Sequence, residues 1–269
     1  MNMKLSNLFK VLTVCVVVGG GLAYNASASS LLFISPHRAV IASGDRTTEV
    51  TVANQSDYKR RYEITLIDSV MTEAGATKRV DTFEYSAKRM LRYVPRSVEL
   101  EPGERQTVRV MVRRPRDLAD GDYHTHMLFR EQQVEEPVEQ NTDEDRTFSF
   151  EVGARYGVAI PVIVQAGTVE SDLSFGTVTP QAEPKGMTVE FKRGGNAEAN
   201  GFLRIFKETP AGEEVASSPM WVRIYREVDR IERTVPLLPE ITAKGTFVLR
   251  LYVSPEPGAE VITEEKITL

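Results

Sequence analysis

From Thr147 to Tyr156 apolar and polar residues alternate. Phe148, Phe150, Val152, Ala154 and Tyr156 share one parity, and Ser149, Glu151, Gly153 and Arg155 the other. Side chains of a strand point alternately to its two faces, so this period of two predicts a strand with one apolar face. After Gly157 the alternation gives way to a nearly continuous apolar run, Val158–Val164, around Pro161. Such a strand is either an ordinary core strand or one that presents its edge and apolar side chains to another chain.

The same pattern recurs before and after it. Leu31–Ala42 predicts a strand interrupted at Pro36, and Thr47–Asn54 alternates up to an Asn54-Gln55-Ser56 turn. Arg61–Asp68 alternates again, whereas Ser69–Arg89 is less regular, with a turn at Glu73-Ala74-Gly75. Short strands follow at Met90–Val94 and Val98–Leu100, then a turn at Glu101-Pro102-Gly103-Glu104, where Pro and Gly suit turn geometry. Gln106–Val112 and Tyr123–Gln132 are predicted strands, and Gln133–Arg146 is an acidic loop without an apolar cluster. Past Gln165–Thr168, a second set is predicted at Met187–Lys192, Gly201–Lys207, Met220–Ile224, Arg233–Pro236, Gly245–Val253 and Glu260–Leu269, with Gly194-Gly195 as a hairpin. Short strands, regular turns and almost no helical periodicity predict an all-β chain of two tandem immunoglobulin-like β-sandwiches. The expected division is a signal peptide over 1–28, a first domain over 29–164 and a second over 165–269.

Composition narrows the compartment. Lys4 and Lys10, the short apolar Val11–Leu22 and the small-residue site Ala26-Ser27-Ala28 have the form of a secretory signal peptide. The apolar run is below the ~20 residues that span a bilayer. Cys15, the single cysteine, lies within that segment, so the mature chain is expected to have no disulfide, no cysteine nucleophile and no cysteine-held metal. Removing Lys4 and Lys10 takes the formal charge from −5 to −7, which argues against nucleic acid as a partner. Export without an anchor predicts the bacterial periplasm or the medium.

Candidate catalytic chemistry is sparse. The histidines are His37, His124 and His126; the last two share a strand face and could hold a metal with a third ligand, but no ligand cluster accompanies them and a solvated polar face is favoured. No nucleophile elbow, zinc-protease motif or phosphate-binding glycine loop occurs, and the carboxylates are expected to lie in loops without apolar shielding. The chain is therefore expected not to be an enzyme, with no cofactor and no metal. Two arginines stand apart. Arg38 interrupts the apolar Pro36–Ile41 strand, and Arg155 lies in the long strand near the interdomain link. Beside a crevice, a guanidinium can grip a carboxylate through two parallel hydrogen bonds; the alternative for each is a strand arginine whose head reaches water.

Four stretches resemble the PapD-like periplasmic chaperones of the chaperone–usher pilus pathway. They are Ser35-Pro36-His37-Arg38-Ala39-Val40-Ile41; Val50–Ser56; Tyr93–Val110, which follows the family's P-x-x-x-x-L-x-P-G-x-x-Q-x-[VL]-R run; and Leu118–Tyr123 leading to Phe129-Arg130-Glu131. The resemblance covers most of Leu31–Val164 and is faint beyond it. It implies binding rather than catalysis: a pilus or surface-fibre subunit that lacks its last strand receives one from the chaperone, for delivery to an outer-membrane usher. Phe148, Phe150, Val152 and Ala154 are then the donor residues. The resemblance also implies two basic residues that anchor the subunit's C-terminal carboxylate. Arg38 matches the first; the lysine expected near Gly157 is missing, and Arg155, on the same alternating face, is the substitute candidate. The departure, together with Pro161, identifies a divergent member whose substrate need not be a standard pilin.

Two functions therefore stand side by side: a periplasmic subunit chaperone, and a structural or adhesive immunoglobulin-like protein of the cell envelope that uses Phe148–Val152 only as core. An unguarded apolar edge also leaves self-association through the exposed strand open.

Overall fold

The computed structural model describes residues 32–132, 156–183 and 185–269. The chain is all-β, with no helix among the described residues. Its first half runs β1 (Leu32–Ser35), β2 (Ala39–Ile41), β3 (Thr47–Asn54), β4 (Arg60–Met71), β5 (Thr77–Val80), β6 (Leu91–Val94), β7 (Ser97–Leu100), β8 (Arg105–Val112), β9 (Gly121–Gln132) and β10 (Gly157–Ala166). Its second half runs β11 (Ser171–Gln181), β12 (Gly186–Gly195), β13 (Ala199–Thr209), β14 (Gly212–Val215), β15 (Met220–Ile224), β16 (Arg230–Pro236), β17 (Thr246–Tyr252) and β18 (Val261–Thr268).

Each half packs two sheets face to face. The first half pairs a sheet of order β1-β3-β8-β6 with one of order β2-β10-β9-β4-β5, to which β7 adds along β4. The second pairs β11-β12-β16 with β14-β13-β17-β18, where β15 adds along β13. Alternation decides which residues fill the space between. In β8 the buried residues are Val108 and Val110, while Thr107 and Arg109 face out. Together with Val50, Val52, Ile64, Leu100, Met127, Phe129, Ile160, Val162 and Val164 they make the first core. The second core is built on Val189, Phe191, Leu203, Ile205, Phe247, Leu249 and Leu251.

Pro36 ends β1, and the chain changes sheets across 36–38, so β1 pairs with β3 and β2 with β10. A proline lacks the N–H that a continuing ladder requires, which makes it a natural crossing point. Gly194-Gly195 differs from the hairpin expected: β12 and β13, which it joins, belong to different sheets. Gly195 has φ +84°, and a Cβ there would lie 2.2 Å from the Glu170 carbonyl oxygen, so this corner needs a glycine.

β10 ties the two cores together. Ile160, Val162 and Val164 point into the first core, and Ile163, of the other parity, packs with the second. From Ile160 to Val164, burial on both faces is the physical reason for the apolar character of this segment.

Candidate functional site

β10 has two neighbours, and one is short. Along its whole length it pairs antiparallel with β9, from Gly157↔Arg130 to Ala166↔Gly121. On its other edge β2 runs parallel to it for three residues, Val162↔Ala39 to Val164↔Ile41. Among the described residues no strand pairs with that edge over Gly157–Pro161. The apolar face changes character at the same place. Ile160, Val162 and Val164 are buried, whereas Val158 and Tyr156, of the same parity, are 39% and 62% exposed. A free main-chain edge beside an uncovered apolar face is what an added strand requires.

Arg38 stands where that free edge ends. It immediately precedes β2, one step from the Ala39↔Val162 pair. Its guanidinium pairs through Nη2 with Oε1 of Glu198, from the second half. Arg223 on β15 approaches the same oxygen, its Nε 3.9 Å away. Two guanidiniums from different halves therefore converge on one carboxylate, whose side chain is only 6% exposed.

Asp122 on β9 sets the position of Glu198. Its Oδ2 accepts a hydrogen bond from the Glu198 backbone N–H at 3.2 Å. Its own N–H donates to the Asn196 carbonyl at 3.1 Å. The two segments approach so closely at the preceding residue that a Cβ on Gly121, which has φ +125°, would lie 2.2 Å from the Asn196 oxygen. Burial, reinforced by the Glu198 charge, pushes the Asp122 carboxyl above the usual carboxylate range, while the Glu198 N–H and the Arg38 charge oppose the shift. The cluster is not saturated: Arg38 Nη1, Arg223 Nε, Glu198 Oε2 and Asp122 Oδ1 are all buried without a hydrogen-bond partner among the described residues.

A second polar group lies along the same junction. His124 Nε2 is 3.0 Å from Glu227 Oε2, and its ring stacks on Tyr225 at 4.5 Å. Glu227 Oε1 accepts from the Met71 N–H at 2.7 Å, so this one carboxylate holds two strands of the first half. His124 holds its carboxylate low against the opposing effect of burial. His126 is also buried, its ring 5.8 Å from that of His124. The solvated polar face expected for this pair is thus a buried interface. Arg226 completes the junction: its guanidinium lies over the Tyr85 ring at 4.3 Å and donates to the Asp122 carbonyl at 3.2 Å.

Of the residues singled out in the sequence, Arg38 lies in this cluster. Phe148, Phe150, Val152, Ala154 and Arg155 lie outside the described residues, as does the segment 1–28, expected from sequence to be a signal peptide. Asp122, Glu198, Arg223 and Glu227 were not anticipated. The expectation that carboxylates sit in unshielded loops fails for Asp68, Asp122, Glu131 and Glu198, all of which are buried. Glu198 carried one local sign, an acidic residue between Ala197 and Ala199 at the start of an apolar strand. Nothing local marks Arg223.

No known protein-family model matches the chain, and no curated protein matches it. Among solved structures it is similar to chaperones of pilus systems. One is the CsuC–CsuE chaperone–tip adhesion subunit pre-assembly complex from the archaic chaperone-usher Csu pili of Acinetobacter baumannii, at 12% identity over 88% of this chain and 96% of that chain, with a TM-score of 0.48. Another is the E. coli chaperone DraB, at 12% identity over 88% of this chain and 96% of that chain, with a TM-score of 0.46. A third is the Salmonella enterica SafA pilin in complex with the SafB chaperone, at 9% identity over 88% of this chain and 96% of that chain, with a TM-score of 0.45.

Proposed function

We propose that this chain is a periplasmic chaperone that binds exported pilus or fimbrial-type subunits by donating a β-strand and holds them for an outer-membrane usher. The observation that carries the reading is the edge of β10 over Gly157–Pro161, unpaired among the described residues, with its exposed Val158, running up to Arg38. Direction follows from register. β2 lies on this edge parallel to β10, so a strand added before it in the same direction ends at the residue next to Arg38. Its C-terminal carboxylate then meets the guanidinium, while main-chain hydrogen bonds along β10 supply affinity. Phe148, Phe150, Val152 and Ala154 have the parity of Val158, and in this reading their side chains fill the subunit's alternate pockets. Arg155, six residues before Pro161, is the second anchor candidate from sequence. The Pro95–Arg109 motif run supports the same assignment. The activity is binding, with release by exchange for a better-fitting strand.

Periplasmic co-purification tests it. Tagged chain expressed with candidate exported subunits from the same genome is expected to retain one, and Arg38→Ala is expected to lose it. Truncating one member of a buried charge pair weakens binding by about 2–5 kcal/mol, roughly thirtyfold or more. Because Arg38→Ala also leaves Glu198 without its nearest cation, the variant's unfolding midpoint is measured alongside. Capture of no candidate by folded wild-type protein would favour the structural or adhesive alternative.

A further inference from the structure

Arg38 is not a vacant anchor in this chain. Glu198 lies against its guanidinium, and Arg223 approaches the same carboxylate oxygen at 3.9 Å. Two cations converging on one carboxylate oxygen describe a carboxylate seat, and here the chain fills it with its own side chain. The filling is incomplete: among the described residues Glu198 Oε2, Arg38 Nη1 and Arg223 Nε are buried without hydrogen-bond partners, so neither cation is fully satisfied by the resident acid. A buried ion pair left partly unsatisfied recovers little of its desolvation cost, so exchange for a better-seated carboxylate is close to balanced.

We propose that Arg223, from the second half, joins Arg38 in holding the terminal carboxylate of a bound strand, and that Glu198 occupies this seat in the free chain as an internal competitor. The inference rests on the reading that a strand added to β10 ends at Arg38. Three elements set the arrangement. Arg38, just before β2, stands at the end of the β10 edge that is unpaired among the described residues. β15 brings Arg223 in from the second half, opposite Asn200 on β13. Asp122 on β9 fixes the Glu198 backbone between them. Binding then requires Glu198 to leave Arg38. A weak or mispositioned carboxylate fails to displace it, so the resident acid selects for strands that also satisfy the β10 edge. This is discrimination by a built-in competing contact.

The test uses the full mature chain and a labelled peptide of alternating valine and threonine, made both as the C-terminal free acid and as the amide. Wild type is expected to bind the acid more tightly than the amide. Glu198→Gln, which keeps the side-chain shape, is expected to bind the acid at least about tenfold more tightly, equivalent to ~1.4 kcal/mol, and the amide unchanged. Glu198→Asp keeps the charge but shortens the reach to Arg38, and it is expected to tighten acid binding as well. Arg223→Ala in the Glu198→Gln background is expected to reduce the preference for acid over amide. If Glu198→Gln matches wild type while both prefer the acid, the competitor is refuted and the Arg38 anchor stands. If Glu198→Gln tightens binding and Glu198→Asp does not, the effect is general charge repulsion, and seat occupancy is refuted. If acid and amide bind equally in every variant, the carboxylate anchor itself falls, and the inference with it.

Discussion

His126 is buried and must stay neutral in the fold. Burial, helped by the neighbouring His124, lowers its pKa from 6.5 to about 4, against the opposing charges of Glu227 and Asp68. In the unfolded chain the ring takes a proton near its ordinary pKa; in the folded chain it does not. The stability that depends on the neutral ring is therefore fully present above about pH 6.5 and is lost progressively as pH falls towards 4. At 1.36 kcal/mol per unit this loss amounts to about 3 kcal/mol. Urea unfolding midpoints measured between about pH 8 and about pH 4 are expected to fall in this window and to flatten in His126→Gln. An unchanged slope in the variant would assign the acid sensitivity elsewhere. Asp122 shifts in the opposite sense: its carboxyl is raised, so the ionised form is disfavoured in the fold near neutrality. Asp122→Asn keeps an oxygen for the Glu198 N–H. It is expected to raise the melting temperature at neutral pH, with the gain shrinking as the solution is acidified into the carboxylate range. A lower melting temperature at neutral pH would show that the attraction of Arg38 outweighs burial.

At the level of elements, the strands missing from the sequence pattern share a physical cause. β5 and β14 are almost wholly exposed, and β11 buries only Leu173 along its length. All three lie at sheet edges, held by main-chain ladders to β4, β13 and β12. An edge strand with both faces near water needs no apolar alternation, so periodicity cannot find it. β5 owes its place to the hairpin at 72–76, which reaches the second half: Arg233 Nη2 donates to the Gly75 carbonyl at 2.7 Å, and the Glu232 N–H to that of Glu73 at 3.2 Å. Two glycines separate backbone strain from close approach. Gly103 has φ +76° and open space around it, so Gly103→Ala is expected to cost about 1–2 kcal/mol from conformation alone. Gly121 has φ +125° and the Asn196 oxygen within 2.2 Å of a Cβ, so Gly121→Ala is expected to cost distinctly more and to loosen the junction. Equal losses in denaturant titrations would show that the second half gives way without penalty.

For the molecule as a whole, the two cores meet through β10 and the polar junction, while the β10 edge over Gly157–Pro161 has no partner strand among the described residues. The consequence to test is separation of folding from binding. A double variant, Phe148→Ser with Phe150→Ser, is expected to keep its unfolding midpoint and lose its subunit partner. Were these two rings core residues, the same change would destabilise the chain by roughly 3–5 kcal/mol for each aromatic removed. A large drop in midpoint would therefore favour the structural or adhesive role. The same free edge predicts concentration-dependent self-association that Val158→Lys suppresses, since a charge on an edge discourages pairing. Sedimentation at rising concentration distinguishes the two proteins, and identical behaviour would show that the edge does not mediate contact between copies.

Local order along the chain determined much of the fold. Thr47–Asn54 alternates so clearly that its strand bounds follow from sequence, because a strand's two faces are written in adjacent residues. Arg38 stood out for a related reason: a cation interrupts an apolar run there. The charged cluster around it was not legible. Asp122, Glu198 and Arg223 come from β9, from the residue before β13 and from β15, and no spacing relates them in sequence. Only the packing of one half against the other brings their charges to a common, poorly hydrated place. There burial raises the Asp122 carboxyl, and one carboxylate oxygen faces two guanidiniums. Periodicity records which way a side chain points, and tertiary structure decides what it meets.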